Sequence, residues 1–181
     1  MLSRFIQIFV VILCGLLLWV ITAQINHHLA VWHMGIFTGG LMLAYPALRF
    51  RSRHIWRVAL PLGLWMDAAS AVSAVPFGTH AALFVLAGII IHQKRGHKPR
   101  ADTATGVIAA VLSNAVLFIA VSIVPAFRVV SQPGVIVTLL VNLVASSVFV
   151  VLVAPWFFAL QTRALALAGI GAQAQAGQIR T

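Results

Sequence analysis

Carboxylates are nearly missing from this chain: of 181 residues only Asp67 and Asp102 are acidic, against twelve Lys and Arg. An intramembrane aspartyl protease needs two carboxylates sharing a proton, and only Asp67 lies inside an apolar run. Cysteine is scarcer still. Cys14 stands alone, which excludes an intramolecular disulfide and a cysteine-based metal site. Charged residues make up 8% of the chain, too few to solvate the outside of a water-soluble globule. There is no HExxH, no GxSxG nucleophile elbow and no glycine loop to cradle a phosphate, so neither catalysis nor a cofactor is expected. The seven histidines include no pair at the i, i+4 helical spacing. No acidic residue would accompany His27, His28, His33 and His80 on their side of the chain, and no metal is expected.

What the chain does have is apolar sequence, 62% of it, with a mean hydropathy of +1.06. A hydrocarbon core about 30 Å thick takes roughly 20 helical residues per crossing. The pattern predicts six spans, near 5–23, 29–48, 55–75, 79–92, 103–124 and 134–160. The runs are continuous and lack the two-residue alternation of barrel strands, so the expected fold is an all-α integral membrane bundle of six transmembrane helices. Residues 1–161 form that domain, and 162–181 an Ala/Gln-rich cytoplasmic tail. Arg4 precedes the first run as in a signal peptide, but the run is longer than a typical signal core and is read as retained.

The basic residues report orientation. Arg4, then Arg49, Arg51, Arg53 and Arg57, then Lys94, Arg95, Lys98 and Arg100, then Arg163 and Arg180 fall at alternate gaps, leaving Arg128 alone on the other side. The positive-inside rule then places both termini in the cytoplasm. The net charge of +10 lacks the basic face and stacking aromatics of a nucleic-acid binder, and no nucleic acid is expected. The expected surroundings are the lipid bilayer, with Trp32, Trp56 and Trp156 near span ends as interfacial anchors.

Asp67 is the residue to explain. Counted along a helix from Arg57 it lies about 15 Å deep, near the midplane, where a charge is costly. Asn114, Asn142 and Thr38 count to a similar level, and the four make one polar layer. Two roles stay open for it: hydrogen-bonded glue between helices, or a ligand or proton-transfer site. His80, just past the outer turn, counts as several residues nearer the surface and is the weaker partner for Asp67 unless the chain around Ser70 to Ser73 unwinds. Gly35 and Gly39 form a GxxxG pattern that lets helices approach closely, read as packing within the bundle ahead of a dimer seam. Asp102 reads as the N-cap of the fifth helix. The third and fourth spans are barely long enough for two crossings, which predicts a tight turn at Pro76 to Gly78, where Pro fixes φ and Gly tolerates positive φ.

The stretch GLWMDAASAVSAVPFGTHAALFVLAG, from Gly63 to Gly88, resembles the best-marked segment of the rod shape-determining protein MreD family. Gly63, Asp67, Pro76, Gly78 and, more weakly, His80 are the matching positions, and the size, the six spans and the basic fourth-to-fifth connection are similar across nearly the whole chain. The resemblance implies a non-catalytic component of the lateral wall elongation complex in the bacterial cell inner membrane. Its partners would be the bitopic MreC protein and, through it, MreB filaments and the peptidoglycan polymerase and transpeptidase. That family is similar in fold to the substrate-binding components of energy-coupling-factor transporters, which supplies the alternative: a small-molecule binder using the polar layer around Asp67.

Overall fold

The computed structural model describes residues 2–50, 52–69, 75–94, 103–129 and 134–168. Among these, every regular element is a helix: α1 Leu2–Leu29, α2 Gly39–Arg49, α3 Ser52–Ala69, α4 Thr79–Lys94, α5 Thr103–Val129 and α6 Val135–Leu167, with a 3-10 turn at Ala30–Trp32 after α1. Asp102, the basic residues Arg95, Lys98 and Arg100, the Ser70 to Ser73 stretch and the tail beyond 168 lie outside the described residues.

Among the described residues, three segments are long and apolar enough to cross a membrane: Arg4–Trp32, Thr103–Ser122 and Val135–Leu167. Their outward faces carry large apolar side chains, among them Phe9, Leu112, Val144 and Leu152, and this suits a lipid surround. The interior is just as apolar but closely packed, with Val11, Leu18, Leu41, Leu43, Phe84, Leu117 and Val150 buried together.

The expected helix over 29–48 is divided. α1 runs on to Leu29, residues 33–38 are extended or irregular, and only Gly39–Arg49 is helical, 11 residues or about 16 Å. The break begins at His33, whose φ of 54° is left-handed. Gly35, Gly39 and Gly40 all disfavour a helix entropically, so the local sequence offers little resistance to unwinding. α2 is the innermost element. Every residue from Gly39 to Leu48 is buried, and α2 touches all five other helices.

The sixth helix continues past residue 160 to Leu167, so the first residues expected in the tail are helical. α3 and α4 form the most extensive helix pair, joined through a turn at Pro76. There the Thr79 amide and hydroxyl both donate to the Pro76 carbonyl, at 3.2 and 2.6 Å. Gly78 adopts a φ of +94°, a conformation L side chains rarely take, directly before the first turn of α4.

Candidate functional site

A helix that begins inside a protein leaves its first amides without partners, and α4 begins this way. The partner comes from α3. Asp67 Oδ1 accepts from the His80 amide at 3.0 Å and lies 2.8 Å from His80 Nδ1, while Oδ2 accepts from the Ala81 amide at 3.1 Å. The carboxylate therefore caps a helix other than its own, with its negative charge at the positive end of the α4 dipole. Asp67 and His80 are each 4% exposed. Both backbone donors are obligate, so each carboxylate oxygen accepts from one amide, and His80 Nδ1 completes the contact at Oδ1.

This corrects two expectations. His80 is the direct side-chain partner of Asp67, because α3 ends at Ala69, two residues past the carboxylate, and does not run on to residue 75 as the count assumed. Asp67 also does not share hydrogen bonds with Asn114, Asn142 or Thr38, so the single polar layer separates into two clusters.

Gly63 makes the cap geometrically possible. It sits one helical turn before Asp67 on the same face of α3, and a Cβ there would overlap the Cα of Ala81 and lie 2.7 Å from its amide nitrogen. Without a side chain at 63, the start of α4 comes close enough for the carboxylate to reach both amides. Nearer the other end of α4 the contact is with a side chain: a Cβ on Gly88 would meet Ile55 Cγ2 at 2.7 Å.

The second cluster holds the unwound segment before α2. Asn26 of α1 brackets Ile36, donating to its carbonyl at 2.8 Å and accepting from its amide at 2.7 Å. From α6, Asn142 accepts from the Gly35 amide at 3.0 Å and Ser146 from the Phe37 amide at 2.9 Å. From α5, Asn114 donates to the Phe37 carbonyl at 2.8 Å and accepts from the Gly40 amide at 3.0 Å. Thr38 faces Thr22 with 3.5 Å between the hydroxyl oxygens. Non-helical backbone in an apolar medium persists only where its polar groups are satisfied by protein, and here side chains of three helices do so.

The glycine pattern also has a different role from the one expected. Gly35 is outside any helix and a Cβ there would meet nothing within 4 Å, so Gly35 and Gly39 are not a helix-packing GxxxG face. The close approach is at Gly40, where a Cβ would overlap the Asn114 backbone. A Cβ on Gly39 would instead press the ring tips of Phe37 and Phe84, at 2.6 and 2.8 Å.

Sequence reasoning passed over Asn26, Thr22 and Ser146. Ser146 follows Asn142 by one helical turn and donates to its carbonyl at 2.6 Å, a spacing that marks one polar stripe on an otherwise apolar helix. Asn26 was hidden at the end of an apolar run. No protein-family model, curated protein or solved structure matches the chain.

Proposed function

We propose that this protein is a multi-pass component of a bacterial inner membrane, with six crossings and both termini in the cytoplasm, acting as a non-catalytic scaffold of the MreD kind. The carrying observation is that the sequence positions behind the resemblance belong to one physical unit. Gly63 admits the start of α4, Asp67 caps it, His80 completes the cap, and Pro76 and Gly78 form the turn that leads into it. Such a unit fixes the relation of two helices. It presents no carboxylate oxygen without a donor, which fits an organising role better than proton transfer.

The second crossing is the unwound segment followed by α2. Residues 33–38, when extended, add up to about 20 Å to the roughly 16 Å of α2, together enough for a 30 Å core. The small-molecule reading is less favoured. Asn114, Asn142 and Ser146, which a ligand would use, are engaged with the backbone of residues 35–40.

Extraction in mild detergent followed by identification of co-purifying proteins tests the proposal. A bitopic MreC-like partner, with elongation-complex enzymes behind it, is the expected result. Recovery with an ATPase module and a bound small molecule would replace the scaffold by the transport reading.

A further inference from the structure

Two adjoining cavities open at the end of the bundle where α1 and α3 begin, away from the Asp67 cap. The smaller, about 180 Å³, is polar: Arg4 and Gln7 of α1, Arg49 at the end of α2 and His54 of α3 line it. The larger, about 850 Å³, is a groove between α1 and α3 that shares Arg4, Ile8 and His54 with the first. Beyond that shared rim its walls are apolar, through Phe9, Ile12, Leu60 and Pro61. Trp56 and Arg57 also belong to it, with the Arg57 guanidinium carbon 5.4 Å from the Trp56 ring centroid.

The charge here has no counterpart in the cavities. Arg4, Arg49 and Arg57 converge on them, and among the described residues no acidic side chain lines either one. Asp67, the one acidic residue among those described, is bound to the start of α4. A basic pocket that opens directly into an apolar groove on a lipid-facing surface matches one kind of molecule, an anionic head on long acyl chains. Guanidinium groups bind phosphate oxygens in a bidentate fork, and the indole of Trp56 suits the boundary between head and chain.

We infer that this pair of cavities binds an anionic glycerophospholipid, with its phosphate between Arg4 and Arg49 and an acyl chain along the α1–α3 groove. The inference rests on the membrane placement of α1 and not on the scaffold reading, so a failed partner co-purification leaves it standing. Bound there, the lipid joins α1 to α3 and offsets part of the charge of the arginines.

The full-length protein, purified in detergent, is titrated with phosphatidylglycerol or with phosphatidylcholine of the same chains, and retained lipid is counted by native mass spectrometry. The wild type should retain one phosphatidylglycerol at least roughly tenfold more tightly than phosphatidylcholine. Arg4→Gln/Arg49→Gln should lose that preference, whereas Lys94→Gln/Arg163→Gln, with the same charge removed elsewhere, should keep it. Leu60→Trp fills the groove with all charges intact and should also weaken retention, which preserves the test if the arginine variant does not fold. Equal retention of the two lipids by the wild type would overturn the inference. So would equal losses in both charge variants, or displacement of phosphatidylglycerol by inorganic phosphate, which would indicate a site for free anions.

Discussion

The backbone of Ala81 occupies the place where a side chain on Gly63 would begin, so α3 and α4 are in backbone contact one turn below the Asp67 cap. Inserting a methyl group into such a contact forces the helices apart, at a cost of about 1–3 kcal/mol for overpacking. Gly63→Ala should lower the thermal midpoint in detergent and reduce membrane abundance, and Gly63→Leu should abolish folded protein. A Gly63→Ala protein as stable as wild type would show that α4 can shift without cost.

Asp67→Asn keeps the shape of the cap but gives up one acceptor oxygen. One of the two amides, His80 or Ala81, must then face an NH₂ group, leaving a buried donor unsatisfied at about 1–3 kcal/mol. Asp67→Leu removes every bond and should be the more damaging. Ranking the two by unfolding in detergent, with Asn between wild type and Leu, checks the cap; equal stability of all three would refute it.

Gly40 and Gly35 should respond oppositely to the same methyl group. Gly40→Ala collides with the Asn114 backbone and should destabilise severely, whereas Gly35→Ala enters open space and should be tolerated. Asn114→Leu, which strips acceptor and donor from Gly40 and Phe37, should cost about 1–2 kcal/mol for each lost bond in a membrane setting. A helix-dimer role for the GxxxG pattern would instead make Gly35→Ala the harmful change.

How far these residues can be read from sequence depends on whether their partners are local. The helical class and the start of α4 at Thr79 follow from continuous apolar runs and from the Pro76 to Gly78 turn. The break at residues 33–38 does not, because its cause lies elsewhere in the chain: Asn26, Asn114, Asn142 and Ser146 take over amides and carbonyls that a helix would pair internally. Asn114 and Asn142 stand out as polar residues in apolar helices, but nothing in their spacing says that they hold backbone and not Asp67. The pairing of Asp67 with His80 is illegible for a related reason. A count that runs the third helix to residue 75 sets His80 beyond the carboxylate, whereas α3 ends at Ala69, two residues past Asp67, and the start of α4 lies beside it.

Orientation is measurable by labelling a single cysteine in intact cells. In a Cys14→Ser background, Val31→Cys, at an exposed position beyond α1, should react with an impermeant maleimide from outside, while a cysteine at Gly96 should react only after permeabilisation. The reverse pattern would invert the topology.

The central claim is that Asp67 organises the bundle by capping α4 and does not itself transfer a proton. Under the proposed scaffold role, the direct measurement is rescue of rod shape in cells depleted of an MreD protein, scored against the amount of folded membrane protein for wild type, Gly63→Ala, Asp67→Asn and Asn114→Leu. Rescue should fall on one curve set by folded abundance, with Asp67→Asn active in proportion to what remains folded. An Asp67→Asn protein that is abundant and folded yet leaves the cells round would contradict the account.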